Sequence, residues 1–481
     1  MTSPPRLSAN TLAAVRPGVA LPAYDRAGTS IGIVHFGPGA FHRGHQACYF
    51  DSLLVRDPRW AISGVELLPA GLAAQAVAQD LLYVVAELDA QIHYRVVGSH
   101  REYLTAANDR ERIFARLNDP NVKLVTITVT EKGYCLDRTG ALDVSHPAIA
   151  EDLRHAPAPG TLVGWITEAL ARRRAAKLAP FTVLSCDNMV ENGRKLRDAI
   201  VKFAGARGDR DLAAWIAGEV RFPSCMVDSI TPAATEELKR RVEEAVGLRD
   251  EAPVQREAFQ QWVVENTLPP GSPDLAGVGA LITNDIAAHE LAKLRLLNGA
   301  HSVLAYAGLL RGHNSVGEAM RDARLSRFVE SLMREDIVPS LKPTPGLDFD
   351  ATIAQLLGRF RNPALTHSLW QIAQDGSQKL PYRIVAPLSE ALAAGRPVER
   401  FAYGIAAWMR FVVREARAGR PLADPLCAVL TAVGCAATGD AANDLPGFLA
   451  LRQVFPGELT AAPIFVNALR ATYGKFDTFL G

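Results

Sequence analysis

Residues 33–51, IVHFGPGAFHRGHQACYFD, constrain the fold more than any other part of the chain. A short, mostly apolar run, Ile31–Phe36, ends at a G-x-G pair, Gly37 and Gly39, and helix-forming sequence follows. Strand, glycine turn, helix is the context that a dinucleotide fingerprint requires. The first glycine permits the tight turn, and the second lets backbone approach a pyrophosphate at the helix N-terminus. The third glycine of the usual motif is missing. His42 stands in its place, followed by Arg43 and Gly44. Gly37, Gly39, Phe41 and Arg43 are candidate cofactor-binding residues, and an ordinary strand-to-helix turn fits the G-x-G pair equally well.

The same alternation continues. Residues 61–65, 122–130, 181–186 and 222–227 are apolar, β-branched runs between turn residues, as strands covered on both faces are. Amphipathic stretches such as 164–176 lie between them. The pattern predicts an α/β fold whose parallel sheet carries helices on both sides. From about Asp285 helical spacing takes over, with helices expected at 289–309, 315–335, 351–360 and 401–418. The expected architecture is a Rossmann-like N-terminal domain over residues 1–285 and a mostly α-helical C-terminal domain over 286–481. The proline-rich stretches 269–273 and 339–345 read as surface loops.

Glu66 follows the second expected strand. A carboxylate there bonds the adenine ribose hydroxyls and favours NAD over NADP. It lies about thirty residues beyond the Gly turn, where about twenty is usual. A solvated loop glutamate is the other reading.

The charge balance is nearly even, with 52 basic and 51 acidic side chains and a net charge of +1. No basic footprint for nucleic acid or a membrane surface emerges. No run of about 18 apolar residues exists to span a bilayer, and no signal peptide is evident. The six cysteines form no C-x-x-C pair and no zinc-ligand spacing with histidine. Buried free thiols, a cytoplasmic location and no metal are the expectations.

The segment HELAKLRLLNGAHSVLAY, residues 289–306, concentrates chemistry. On an α-helix Lys293, Asn298 and His301 share an arc of about 140°, beside Leu294, Leu297 and Leu304. A lysine desolvated in such surroundings can act as general base. An amide can donate to a developing alkoxide, and an imidazole can orient a hydroxyl. Asn188 follows a strand end, where sites in open α/β sheets lie. The bland alternative is an exposed face of Lys293 and Arg295 with a satisfied core histidine.

Seven ordered motifs then match one family: GPGAFHRGHQA, TVTEKGY, SCDNMVENG, FPSCMVDSITP, QWVVEN, KLRLLNGAHS and WQIAQDGSQKLP. The chain resembles the long-chain, zinc-independent mannitol dehydrogenases almost end to end. The resemblance implies NAD-dependent alcohol–ketone chemistry, with catalysis between the two domains. It implies Lys293 as general base, Asn188 and Asn298 as the oxyanion-stabilising pair, and His301 as the substrate-orienting histidine. Lys379 would contact a substrate hydroxyl, Asp228 would line the pocket near the nicotinamide, and Glu290 would pass the proton to solvent.

The strings TEKGYC and WQIAQDGSQKLP look most like the fructuronate reductase (D-mannonate oxidoreductase) branch. Mannitol 2-dehydrogenases tend to read TEGGY and carry arginine where this chain has Gln371. Ser229, however, replaces a usual basic residue, and a carboxylate substrate calls for a cation. Lys379, Arg383 and Arg361 are the candidates. A mannitol or D-arabinitol dehydrogenase is the near alternative, and a non-catalytic nucleotide sensor is the alternative of another class. A small-molecule sugar alcohol or sugar acid is the expected partner, and the expected state is a monomer or small homo-oligomer.

Overall fold

The computed structural model describes residues 4–68, 71–155, 157–365, 367–476 and 478–479. They fall into two compact units, Met1–Ala287 and Ala288–Gly481.

The first unit is built on five strands: β1 (Ile31–Phe36), β2 (Ala61–Glu66), β3 (His100–Thr105), β4 (Leu124–Ile127) and β5 (Thr182–Ser185). They are parallel throughout, in the order β3-β2-β1-β4-β5. This is the strand order of a Rossmann sheet, with its switch point between β1 and β4. The period-2 alternation of a strand explains the two cores. Val34 and Phe36 face helices Arg110–Leu117, Leu162–Ala175 and Asn192–Ala206 through Phe114, Trp165 and Phe203. Ile33 faces the other way, onto Phe50, Trp60 and Trp262.

Two of the expected strands differ from the sequence reading. The run expected at 122–130 pairs only over Leu124–Ile127, because the amides of Val129 and Thr130 bond the Asp187 carboxylate instead of a ladder. The run expected at 222–227 pairs over Cys225–Asp228, outside the parallel sheet. It lies antiparallel to Gln261–Glu265, which pairs in turn with Leu281–Thr283. A third small sheet joins Tyr83–Leu88 to His93–Val97 and Val254–Glu257, backed by helix Glu236–Val246.

The second unit has no strand among the described residues. Its centre is Glu399–Arg417, a 19-residue helix buried along most of its length. Around it pack Ala300–Leu310, Cys427–Ala436 and Pro463–Gly474. The helix expected at 289–309 is interrupted: α over Ile286–Ala292, π over Lys293–Gly299, and α again over Ala300–Leu310. The one expected at 315–335 is Val316–Arg321 and Ala323–Ser331, followed by a second π stretch, Leu332–Ile337. Asp322 breaks it and caps the second piece, accepting from the amides of Arg324 and Leu325. A third π stretch, Pro381–Val385, packs against the first. Gly299 is what allows this, since a Cβ there would lie 3.0 Å from the Arg383 carbonyl. No described helix is long and apolar enough to cross a membrane.

Candidate active site

In the first unit the turn after β1 is pinned by residues of β2 and β3 and by Thr128 just beyond β4. The Gly37 amide donates to Val65 (3.0 Å), its carbonyl accepts the Thr128 hydroxyl (2.7 Å), and the Pro38 carbonyl accepts the Tyr103 hydroxyl (2.8 Å). Gly37 has φ +85, and a Cβ would stand 2.1 Å from the Thr128 carbonyl, so no other residue fits. Gly39 differs. A Cβ there would meet only the Gly37 carbonyl, at 3.9 Å, so its Cα borders open space.

That space is a cavity of about 360 Å³, lined by Gly37, Gly39, Glu66, Leu68, Thr130 and Thr161 among others. Its walls are mostly apolar, with one carboxylate, Glu66, at the end of β2. Backbone that a ligand can approach closely, beside a carboxylate at the second strand's end, suits the ribose and phosphate portion of a dinucleotide. The helix after the glycines is shorter than the sequence suggests. Ala40–Gly44 breaks at His45 (φ −122, ψ −93) before Gln46–Leu53 resumes.

His42 replaces the third glycine without opening the fold, because its ring stacks flat on His35 of β1, with centroids 3.3 Å apart. The His42 Nε2 meets the His100 Nε2 at 3.3 Å, and His35 lies between the hydroxyls of Thr126 and Thr128. Burial holds all three imidazoles neutral, with pKa values far below the ordinary one and about 3 for His100. Arg43 points elsewhere. Its guanidinium donates to the Ala252 carbonyl and lies over the Tyr83 ring. Phe41 stacks on His45, whose Nε2 bonds the Gln261 carbonyl.

Asn188 is exposed in the turn just beyond β5. Buried Asn192 fixes that turn: its amide donates to the Asp187 and Cys225 carbonyls (3.1 and 2.8 Å), and its oxygen accepts from the Cys225 amide. Cys225 begins the strand that ends in buried Asp228. Ser229 donates its hydroxyl to the Phe259 carbonyl.

In the second unit the π stretch changes the helical arithmetic. Its i→i+5 bonding makes residues five apart neighbours on one face. Lys293 and Asn298 therefore align better than the α-helical spacing predicts, and His301 follows in α register. Glu290 sits one turn before Lys293, and is buried. Arg295 is no exposed charge. It is buried, ion-paired to Glu390 and bonded to the Ser340 carbonyl.

His301 stacks on Phe360 at 4.3 Å and meets His367 edge-on at 5.2 Å. Its Nε2 is buried with no hydrogen-bond partner among the described residues. Burial first, then His367, Arg359 and Arg383, push its pKa well below the usual value, so the ring is neutral at pH 7. An orphan nitrogen of this kind costs about 1–3 kcal/mol until a ligand satisfies it. Arg383 donates through Nη1 to the Ser302 hydroxyl (3.0 Å) and, at 3.4 Å, to the Asn298 carbonyl. Lys379, half-buried, reaches the Ile372 carbonyl at 3.4 Å, and burial and Arg383 lower its pKa. Its turn is held by Asp424, which accepts from the Ser377 amide (2.8 Å) and hydroxyl. Arg361, by contrast, is exposed and donates to Ser326.

Residues 31–277 match the family model "Mannitol dehydrogenase Rossmann domain", and residues 285–477 match "Mannitol dehydrogenase C-terminal domain". The chain belongs to the mannitol dehydrogenase family. Relatives of that family cover nearly all of it. D-mannonate oxidoreductase of Escherichia coli (strain K12) is 39% identical over 464 residues, 95% of each chain. Among solved structures, Pseudomonas fluorescens mannitol 2-dehydrogenase in ternary complex with NAD and D-mannitol is 34% identical, with a TM-score of 0.84 over 98% of this chain and 97% of that one. A substrate-free D-sorbitol dehydrogenase superposes with a TM-score of 0.89 at 32% identity, over 98% of both chains.

Asp187, Asn192, Arg359, His367 and Asp424 were not among the candidates from sequence. Asp187 and Asn192 stand in the SCDNMVENG motif, which marks the region but not which of its polar residues turn inward. Nothing in local sequence separates Arg359 from exposed Arg361 two positions on.

Proposed function

We propose that this chain is an NAD(H)-dependent oxidoreductase that interconverts a secondary alcohol and a ketone on a linear hexonate, with D-mannonate and D-fructuronate as the pair. Residues 1–285 would hold the cofactor, and 286–481 the substrate and the general base. The observation that favours an anionic substrate is the charge around His301. Arg359 and Arg383 both act on its imidazole, Arg383 acts on Lys379 too, and the Arg383 Nε and Nη2 have no hydrogen-bond partner among the described residues. A substrate carboxylate would complement this cationic end, where charge-assisted bonds are strong. A mannitol dehydrogenase remains the second reading, favoured by the likeness to the Pseudomonas fluorescens enzyme.

Family membership and the Lys293–Asn298–His301 face support the chemistry. In oxidation neutral Lys293 takes the hydroxyl proton, and in reduction its ammonium returns it. The side-chain amides of Asn188 and Asn298 donate to the oxygen as negative charge grows on it. Neutral His301 fixes a neighbouring hydroxyl through the nitrogen that has no protein partner. Glu290 passes the proton towards solvent. NAD(H), when bound, accepts or supplies the hydride. Gly37, Gly39 and Glu66 would hold it, and Asp228 would lie near its nicotinamide.

The test is NADH oxidation with D-fructuronate and D-fructose at equal concentration. A kcat/KM at least tenfold higher for fructuronate supports the hexonate reading. Preference for fructose transfers the assignment to the mannitol branch.

A further inference from the structure

The loop after β4 contains the least ordinary backbone of the chain. Thr130 stands at φ 67, ψ 162, a region that is essentially glycine's alone. For a β-branched residue this is a genuine outlier, and such a conformation persists only where its surroundings over-determine it.

The surroundings here are specific. One oxygen of Asp187 accepts the Thr130 amide at 2.8 Å, and the other accepts the Val129 amide at 3.0 Å. The Tyr134 hydroxyl donates to the second oxygen at 2.6 Å, closing the loop onto the same carboxylate. On the near side, the Thr128 hydroxyl donates to the Gly37 carbonyl. It therefore accepts from the His35 Nε2, which lies 3.0 Å away. Asp187 is buried, which raises its pKa, and these three donors are what its oxygens meet. The clamped residues Thr128, Val129, Thr130 and Gly133 line the same cavity as Gly39 and Glu66.

A carboxylate that only satisfied itself could do so with an unstrained loop. This one holds the Val129 and Thr130 amides before the Thr130 φ and ψ bonds and the Tyr134 hydroxyl after them, so the segment that turns at Thr130 is fastened on both sides. We propose that Asp187 is a positioning residue for the cofactor: it holds Thr130 in its strained conformation and so preforms the cavity wall against which the dinucleotide lies. The inference rests on the NAD(H) reading of that cavity.

The test is a double-mutant cycle read by NADH dissociation constant, with thermal unfolding recorded for each protein. Asp187→Asn must lose one of the two amide bonds, since its NH2 cannot accept. It is expected to weaken NADH binding about tenfold or more. Thr130→Gly needs no carboxylate to adopt the conformation and is expected to bind within about threefold of wild type. The decisive protein is Asp187→Asn/Thr130→Gly, which should regain the affinity of Thr130→Gly. Thermal unfolding separates positioning from general destabilisation, since affinity regained only in step with a regained unfolding temperature would overturn the proposal. A folded Asp187→Asn protein with wild-type affinity, or a double variant as weak as Asp187→Asn, overturns the proposal. If Asp187→Asn does not fold, Tyr134→Phe replaces it in the cycle, with a smaller loss and the same rescue expected. Wild-type protein that fails to bind NADH would refute the cofactor reading itself.

Discussion

Acid should loosen the first unit through its buried histidines, and His100 allows the size to be worked out. Burial pushes its pKa to about 3, helped by the charges of Arg43 and Arg26. In the unfolded chain the value is about 6.5. Above that pH both states are neutral and the group has no effect on stability. As pH falls below it, the unfolded state takes up a proton that the folded state refuses, so stability is lost progressively between about 6.5 and 3. At pH 5 the gap is about 1.5 units, and at about 1.4 kcal/mol per unit the loss is about 2 kcal/mol. His35 and His42 shift in the same direction and add to it. The comparison protein is His100→Asn, which cannot titrate. Both proteins would be unfolded in urea at pH 7.5 and pH 5.0, with hydrogen exchange in peptides covering β1 and β3 reporting the first unit alone. The expected result is that wild type loses about 2 kcal/mol more than His100→Asn over this interval. Equal losses would mean that His100 is protonated in the folded protein, and the account of a neutral stack would fail.

Three further outcomes follow from the proposed site. Lys293→Ala should lower kcat by about 10²–10⁴-fold with NADH affinity unchanged, and near-normal turnover would remove it as general base. Glu66→Lys should raise the NADP-to-NAD ratio of kcat/KM, because a carboxylate at the end of β2 repels a 2′-phosphate; an unchanged ratio would take Glu66 out of the cofactor site. Arg383→Met should lower the preference for fructuronate over fructose by roughly 10-fold or more, the range for losing a charge-assisted bond. The ratio cancels any damage from losing the Arg383–Ser302 bond, which affects turnover of both substrates alike. A preserved preference would clear Arg383 of reading the carboxylate.

Four of the five strands of the parallel sheet were legible as mostly apolar runs bounded by turn residues, whereas His100–Thr105, HREYLT, was missed because it is an edge strand with charged and half-exposed side chains. Residues 222–227 carry the same signal yet join an antiparallel pair, since a buried run specifies that it is covered, not which edge it meets. The loop at 128–130 looks like a continued strand because Val129 and Thr130 have high strand propensity. Their amides went to Asp187, which lies 57 and 58 residues away in sequence and whose inward turn no local pattern announces. The helix with Lys293 was plain from periodicity. Its π register was not, because the cause lies in packing against Pro381–Val385 and in the open position at Gly299.

That register bears on how substrate charge can be read. In a continuous α-helix Lys293 and Asn298 would diverge by about 140°, too far for both to address one oxygen. The π stretch brings them onto one face. Where α geometry resumes, the Asn298 carbonyl accepts from the Ser302 hydroxyl of the same helix and from Arg383 outside it. The guanidinium is therefore tied to the element that carries the candidate catalytic groups, with donors left over. Gln371 tells a consistent story: it is exposed, on the short helix Leu369–Ile372, so its difference from the mannitol-branch arginine removes a charge from a surface position. Ser229 bonds its own neighbourhood through Phe259. On the hexonate reading, the cation missing at 229 has a replacement that was fixed in place for a structural reason. An arginine so placed needs no further ordering to meet a carboxylate, which is where a flexible lysine would lose affinity.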